Sequence, residues 1–245
     1  NNQTYYSSPV QIPGTTWKHI SFSTDYASAI KTDGTLWMWG YNANGQLGQN
    51  NDTNYSSPKQ VPGTSWAYSY VAENQLFMTR TDGTLWCMGA NGNGSLGINQ
   101  PTNSDRSSPV QIPGTWALGT NKIAGGYYTG FGIKSDGTLW AWGNENFGLL
   151  GQNSQVGISS PTQIGSDTTW DSVGAGYNQA AATKTDGTLW TWGRNSTGSL
   201  GQNQSPSDPT NGGNGYSSPV QVPGTWKTGE GGLNVGWDSI QSIKM

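Results

Sequence analysis

Three short phrases recur along this chain in a fixed order, and this repetition constrains the fold more than any other feature. The phrase Asp-Gly-Thr-Leu-Trp occurs four times, at spacings of 49, 54 and 50 residues, beginning at Asp33, Asp82, Asp136 and Asp186. The phrase Ser-Ser-Pro-x-Gln, followed by Ile or Val, begins at Ser7, Ser56, Ser107, Ser159 and Ser217. Each Asp-Gly-Thr-Leu-Trp phrase is followed by Gly-x-Leu-Gly. Such self-similarity indicates stacked copies of one small structural unit.

The phrases divide the chain into four complete units and a partial fifth. We interpret the chain as a single repeat domain over 1–245, with units at 7–55, 56–106, 107–158, 159–216 and a partial unit at 217–245. Within the first unit, strands are predicted over 10–12, 17–23, 27–32 and 35–40, in that order. The last two strands form a hairpin, because Asp-Gly is a two-residue turn whose backbone matches strand twist. The predicted turn residues are Asp33, Gly34, Asp82, Gly83, Asp136, Gly137, Asp186 and Gly187.

The strand after each Asp-Gly turn is apolar on both faces. Trp37 and Trp39 face one way while Leu36 and Met38 face the other, which is typical of a sheet packed between two neighbouring sheets. Hydrophobic residues are only 32% of the chain, but 13 Trp supply large buried surfaces. We therefore predict an all-β fold, a β-propeller of four-stranded antiparallel blades with about five blades.

The number of blades leaves three arrangements open. The chain can form a five-bladed ring with an incomplete last blade, an open part of a larger ring, or a ring that another chain completes. An uncovered terminal blade exposes an apolar face and a sheet edge, so we expect something to cover it.

Two longer motifs resemble the regulator of chromosome condensation repeat family of β-propellers. Trp142-Gly143-Asn144, followed by Gly148-Leu149-Leu150-Gly151, is similar to the family's Trp-Gly-x-Asn-x-x-Gly-Gln-Leu-Gly core. The stretch 124–137 is similar to the family's Ala-Gly-Gly-x-x-His-Thr…Asp-Gly stretch. The resemblance implies a propeller, typically of seven blades, and brings guanine-nucleotide exchange on a small GTPase into consideration. The family's histidine column is replaced here by Tyr26, Gln75, Thr129 and Gln179.

Charge and composition exclude several classes of partner. The net charge is −3, the pI is near 4.9 and no basic run occurs, so nucleic-acid binding and nucleotide exchange at chromatin are disfavoured. No apolar run is long enough for membrane insertion. Charged residues are only 10% of the chain, and such amide- and hydroxyl-rich composition favours an extracellular protein or one on a virus-particle surface.

The chain offers no convincing catalytic or metal-binding set. The four repeated aspartates are interpreted as turn formers, and Lys31, Arg80, Lys134 and Lys184 before them as exposed strand charges. The one histidine, His19, and the one cysteine, Cys87, lack neighbouring catalytic motifs and are interpreted as structural. We therefore predict a protein that is not an enzyme and has no catalytic residues, no metal site and no cofactor.

Binding requires residues that differ between units, because a symmetric frame offers no unique site. Aromatic residues in the turns that would rim one propeller face meet this condition. The candidate binding residues are Tyr26, Tyr41, Tyr127, Tyr128, Phe147 and Tyr177. The sequence favours a non-enzymatic scaffold for protein recognition or self-assembly, with fibre, decoration or surface-layer roles as examples. A lectin-like module that binds a glycan or receptor is the alternative.

Overall fold

The chain folds into antiparallel β-sheets that follow the sequence repeat. The computed structural model describes residues 7–100, 103–154, 156–195, 197–203, 215–237 and 239–245. These ranges contain four four-stranded sheets, one two-stranded sheet and one short 3-10 helix at Gly92–Gly94. Within them, no helix has the length and hydropathy needed to span a bilayer. The prediction of an all-β propeller built from four-stranded blades is confirmed.

Each sheet is one blade, and its strands are numbered from the inner strand outward. Blade 1 contains β1 (Trp17–Phe22), β2 (Tyr26–Lys31), β3 (Leu36–Gly40) and β4 (Tyr55–Gln60). Blade 2 contains β5 (Trp66–Val71), β6 (Gln75–Arg80), β7 (Leu85–Gly89) and β8 (Arg106–Ile112). Blade 3 contains β9 (Ile123–Gly125), β10 (Thr129–Ile133), β11 (Leu139–Gly143) and β12 (Ile158–Gln163). Blade 4 contains β13 (Trp170–Ala175), β14 (Gln179–Lys184), β15 (Leu189–Arg194) and β16 (Gly215–Val222). Blade 5 contains β17 (Leu233–Val235) and β18 (Ile240–Ser242).

The strand carrying Ser-Ser-Pro is the last of its blade, and our prediction that it comes first was wrong. Gln60 and Lys59 of β4 pair with Trp37 and Met38 of β3, so this strand closes the blade that precedes it. Residues 10–12 form no strand. The blades are therefore offset from the predicted sequence units. The physical reason is that the strand adds to the free edge that β3 leaves after the Asp-Gly hairpin.

The Asp-Gly turns are fixed by a repeated chain of hydrogen bonds. In blade 2 the Thr84 backbone N–H and hydroxyl both donate to Asp82 Oδ1, at 3.0 and 2.7 Å. The Trp86 Nε1–H then donates to Thr84 Oγ1 at 2.9 Å. The same three bonds recur in blades 1, 3 and 4. The predicted turn role of the aspartates is thus visible in the geometry of four blades.

These bonds predict that acid destabilises the protein. The side-chain and backbone hydrogen bonds from Thr84 hold the pKa of Asp82 below its usual value. The stabilisation that comes with a lowered pKa is fully present at pH values above the usual aspartate pKa of about 4. It is lost as the pH falls through the lowered pKa of the folded state. We expect the unfolding midpoint of Asp82→Asn to depend less on pH than that of the wild type in acid. Urea unfolding across that range measures this, and Asp52→Asn, at an exposed loop position, is the control that keeps the wild-type profile.

The basic residues before the turns are enclosed by tryptophans, so the prediction of exposed strand charges was wrong. Lys184 Nζ lies 4.7 Å from the ring centroid of Trp170 and 4.1 Å from that of Trp190. Arg80 lies similarly between Trp66 and Trp86, at 4.6 and 4.3 Å. Lys31 and Lys134 repeat the arrangement. A cation over an indole face is attracted by the ring quadrupole, so each complete blade has one cation–π clamp.

Blades are joined by a large side chain from the third strand, which packs on the Gly-x-Leu-Gly turn of the preceding blade. Trp142 is fully buried, and its Nε1–H donates to Ser95 O in blade 2 at 3.0 Å. Trp192 donates to Leu149 O in blade 3 at 2.8 Å. A Cβ added to Gly97 would lie 2.8 Å from the Trp142 ring, so glycine is required for this approach. The repeated tryptophans thus form the core between sheets.

One polar side chain per blade holds the Gly-x-Leu-Gly turn. Asn42, Asn91 and Asn195 each accept a hydrogen bond from the backbone N–H of the leucine five residues later. In blade 3 this position is Glu145, whose Oε2 accepts from Leu150 N–H at 2.7 Å. A buried carboxylate therefore replaces a neutral amide in blade 3.

Blade 1 exposes apolar surface. Phe22 is 73% exposed on β1, whereas its counterpart Val71 on β5 is buried against blade 1. A groove of about 210 Å³ on the same blade is lined by Trp17, Ile20 and Trp39, among others. Trp39 is half-buried, although its counterpart Trp142 is fully buried. This surface is the uncovered blade face that the repeat pattern predicts.

Candidate functional site

The turns that follow the five inner strands converge on one cavity, which we call the central cavity. Its volume is about 230 Å³, and it is lined by residues of 22–24, 71–73, 125–127, 175–177 and 235–237. Each blade contributes one of these turns, because the turn between the first and second strands lies at the same end of every blade. The cavity therefore samples all five blades, including the two-stranded fifth.

One position in these turns carries a different side chain in almost every blade. The residues at this position, from blade 1 to blade 5, are Thr24, Glu73, Tyr127, Tyr177 and Trp237. The flanking Asp-Gly-Thr-Leu-Trp phrases are invariant in blades 1 to 4. The cavity thus supplies the asymmetry that specific recognition requires on a symmetric frame.

Three of the five residues form an aromatic cluster, defined here as Tyr127, Tyr177 and Trp237. Tyr177 and Trp237 stack with centroids 4.6 Å apart and an interplanar angle of 20°. Tyr127 lies 5.1 Å from Tyr177 at a tilted angle and 6.4 Å from Trp237 edge to face. Trp237 remains 53% exposed. Rigid aromatic rings that are ordered by one another but still reach solvent are typical of recognition surfaces.

Negative charge lies beside the aromatic cluster. Glu73 lines the cavity and is half-buried, while Asp25 is exposed in the neighbouring turn of blade 1. Burial, and secondarily the charge of Asp25, raises the pKa of Glu73. The pKa of Tyr127 is raised chiefly by a side-chain hydrogen bond with Tyr128, with a further contribution from the charge of Glu73. No lysine, arginine or histidine lines this cavity among the described residues.

The structure brings together three of the six predicted binding residues. Tyr127 and Tyr128 are in T-shaped contact at 4.1 Å, and Tyr177 joins them through the aromatic cluster. Tyr41 is exposed in the loop after β3, outside the cavity lining. Phe147 is exposed in the loop after β11, where Arg194 lies 4.9 Å from its ring centroid. These two residues do not contribute to the central cavity.

Tyr26 is buried, so its assignment as a binding residue was wrong. Its hydroxyl donates to Gln75 O at 2.7 Å and lies 3.1 Å from Ala72 O, both in blade 2. Gln75 reaches Tyr127 O in blade 3, and Gln179 reaches Trp237 O in blade 5, at 3.3 and 2.9 Å. In blades 1, 2 and 4, the residue at the position of the family's histidine therefore bonds to the next blade. Thr129 is too short to do so, and its buried hydroxyl has no hydrogen-bond partner among the described residues.

We expect Tyr26→Phe to lower the free energy of unfolding by about 1–2 kcal/mol, because the buried hydroxyl that hydrogen-bonds across the blade 1–2 boundary is lost. Guanidinium unfolding measures this change. Tyr41→Phe is the matched control, since Tyr41 is exposed, and it should leave stability unchanged. Equal effects of the two substitutions would contradict the tie between blades.

Sequence reasoning missed Glu73 and Trp237. Neither residue is among the six predicted binding residues. Aligning the five turns between the first and second strands would have found both, since each residue lies two positions after the inner strand. This turn position was missed because the units were aligned on the repeated phrases, and the position lies outside those phrases.

Two loops, at 117–122 and 227–232, contact each other at the opposite end of the inner strands. The Thr120 hydroxyl donates to Glu230 at 2.8 Å, and the Asn121 amide donates to Leu233 O at 2.9 Å. Lys122 pairs with Asp171 at 3.0 Å in the same region. These contacts link blades 3, 4 and 5.

The remaining chemically active side chains serve packing. His19 Nε2 lies 2.8 Å from Ser69 O in blade 2 and stacks edge to face on Tyr68. Cys87 is fully buried, and burial raises the pKa of its thiol well above the usual range. Across the described ranges, no three His, Cys, Asp or Glu side chains lie close enough together to hold a metal ion. These residues contribute no reactive group to the cavity.

Comparison with known proteins agrees with the repeat and the fold. A family model described as "Regulator of chromosome condensation (RCC1) repeat" matches residues 33–67 and 136–183, and a second model with that description matches 121–149. Human WBSCR16 is similar over 94% of this chain and 58% of its own, with a TM-score of 0.77 and 18% sequence identity.

Prp20p from Saccharomyces cerevisiae is similar over 97% of this chain and 59% of its own, with a TM-score of 0.75 and 18% identity. That structure is described together with the binding of Prp20p to Gsp1p and histones. A second yeast structure, RCC1 (Prp20) bound to Kap60, has a TM-score of 0.77 at 18% identity and is matched over 97% of this chain and 57% of its own. This chain therefore spans less than two thirds of the solved chains it matches. The resemblance read from the sequence is confirmed: the chain carries repeats of the regulator of chromosome condensation (RCC1) type on an RCC1-like β-propeller.

Proposed function

We propose that this chain is a non-enzymatic recognition scaffold that binds a protein partner at the central cavity. The observation that carries the proposal is the aromatic cluster of Tyr127, Tyr177 and Trp237, which lies at a turn position where the blades differ. Tyrosine and tryptophan are enriched among the residues that dominate binding energy at protein interfaces. The yeast protein with this fold also binds proteins, which supports a partner of the same class.

A library of displayed dodecapeptides tests the proposal directly. We expect peptides selected on the wild-type protein to lose most of their affinity for a Tyr127→Ala, Tyr177→Ala double variant, because the rings supply the contact area. The matched control is Tyr41→Ala, which removes an exposed tyrosine outside the cavity and should retain binding. Failure to select any peptide, or selection of peptides insensitive to the double variant, would overturn the proposal.

The proposal extends to an extracellular or virus-particle role. Its support is compositional: charged residues make up 10% of the chain and the net charge is −3, so amides and hydroxyls supply most of the polar surface. The exposed apolar side chains of blade 1, Ile20 and Phe22, suit self-assembly in such a particle. Negative-stain microscopy of the native source with a labelled antibody tests this role. Label on particles or in the extracellular fraction supports it, and label confined to the cytosol counts against it.

Glycan binding is the second candidate, because amides surround the same tyrosines. A cleft of about 90 Å³ between blades 3 and 4 is lined by Tyr127, Tyr128, Thr129, Asn144, Asn146, Leu149, Tyr177 and Asn178. This volume holds only about three waters, so a sugar would have to stack on the rims of the rings rather than enter the cleft. A glycan array decides: binding that Tyr128→Ala abolishes favours this function, and a blank array removes it.

A further inference from the structure

We propose that the partner bound by the proposed scaffold inserts a lysine or arginine side chain into the central cavity, between the aromatic cluster and Glu73. This inference rests on the proposed function and specifies the chemistry of the bound group. It is carried by three independent features of the described residues: the arrangement of the rings, the unpaired negative charge beside them, and the size of the cavity.

The rings of the aromatic cluster line the cavity at different angles, and Trp237 is 53% exposed. Tyr127 is tilted by 54° from Tyr177 and by 74° from Trp237, so the rings do not form one flat stack. A cation is attracted by the negative face of an aromatic ring, most strongly by tryptophan. The chain already uses this chemistry, since Arg80 and Lys184 each lie between two tryptophan rings at the outer ends of their blades.

The carboxylate in the cavity has no cationic partner within the described part of the chain. Glu73 lines the cavity, and the ion pairs of the described residues use Asp171 and Asp167 instead. Asp25 lies close enough to Glu73 for its charge to act on that carboxyl. A half-buried carboxylate beside a second acid loses hydration without gaining an opposite charge. A bound ammonium or guanidinium group supplies that charge, whereas an acidic group would be repelled.

The size of the cavity fits one side chain better than a whole small molecule. Its volume of about 230 Å³ is below the range of roughly 300–1,000 Å³ of ordinary small-molecule sites. The long apolar stem of lysine or arginine can lie along Val71, Ala72 and Val235, which also line the cavity. The charged end then reaches Glu73 and the rings, where a charge-assisted hydrogen bond and a cation–π contact act together.

The dodecapeptides selected on the wild-type protein are the probes for this inference. We expect each tight binder to contain an arginine or lysine whose replacement by citrulline or acetyl-lysine weakens binding at least about tenfold. Citrulline keeps the shape of arginine without its charge, so the change isolates electrostatics. Glu73→Gln should weaken the unmodified peptides by a similar factor and leave the citrulline peptides unchanged. Asp52→Asn, which removes an exposed acid outside the cavity lining, should have no effect.

The outcomes separate this inference from the proposed function. If peptides that require Tyr127 and Tyr177 bind equally well after citrulline or acetyl-lysine replaces the cationic residue, the proposed lysine or arginine is wrong. The proposed function of protein recognition is then unaffected. Selection of no cavity-dependent peptide overturns the proposed function itself. A thermal unfolding midpoint equal to that of the wild type would show that Glu73→Gln is folded. A loss of binding by this variant is then due to the loss of the negative charge.

Discussion

Replacing Trp142 by alanine is expected to lower the free energy of unfolding by about 3–5 kcal/mol. The indole is completely buried between blades 2 and 3, in edge-to-face contact with Phe77 and Trp116 at 5.6 and 5.7 Å. Its removal leaves a cavity, and the buried Ser95 carbonyl loses its indole donor. The glycines beside the ring cannot fill that space. Denaturant unfolding followed by circular dichroism measures the loss.

Trp140→Ala is the matched control for this prediction. Trp140 is two residues earlier on the same strand, but it is half-buried, donates to Thr138 at the turn and lies against Lys134. Its loss should cost clearly less, because water reaches part of the site and no core cavity opens between blades. Equal losses for the two variants would show that the tryptophan between the blades is no more important than the tryptophan of the clamp.

Replacing Glu145 by glutamine is expected to stabilise the protein by about 2 kcal/mol at about pH 8 and to change little at about pH 4. Desolvation raises the pKa of Glu145 to about 7, although the hydrogen bond from Leu150 opposes the shift. Oε1 is buried and has no hydrogen-bond partner among the described residues. In blade 1 the Asn42 amide donates to the loop at 49–54, which a charged carboxylate cannot do.

The sign of the pH effect follows from proton binding. The folded state holds the Glu145 proton up to about pH 7, while the unfolded state releases it near the ordinary value of about 4.3. Wild-type stability therefore falls as the pH rises between these two values and then levels off. Glutamine keeps the acceptor for Leu150 N–H and adds a donor without a charge, so this slope should disappear.

Urea unfolding at several pH values measures this slope. Glu230→Gln is the control, because Glu230 is exposed in the loop at 227–232 and its replacement should keep the wild-type slope. A wild-type protein whose stability does not fall between about pH 5 and about pH 7 would contradict the prediction.

The candidate site could be predicted only in part. Tyr127, Tyr128 and Tyr177 were recognised because they interrupt a regular repeat, and the structure brings them together. Tyr26 was chosen by the same rule and is buried, since the next blade covers its ring and accepts its hydroxyl. Tyr127 and Tyr177 line the cavity, whereas Tyr26, two positions later in its own turn, bonds to the next blade; the difference depends on which backbone lies opposite.

The sequence by itself determined the blade. The Asp-Gly turn, the threonine that follows it and the tryptophan two positions later interact within a few residues, so local chemistry specifies the hairpin wherever the phrase occurs. Alternation of large apolar residues on both faces then requires neighbouring sheets on each side. These requirements involve residues that are close together in the sequence, so the repeated phrase is enough to predict them.

Tertiary structure decided what the repeats leave free. It placed the Ser-Ser-Pro strand at the outer edge of the preceding blade, enclosed the basic residues between tryptophans, and gathered Glu73, Tyr127 and Trp237 from three blades around one cavity. The three cavity residues lie about 50 or more positions apart in the sequence. Their partners are set by how one blade stacks on the next, and no phrase within a single unit encodes that packing.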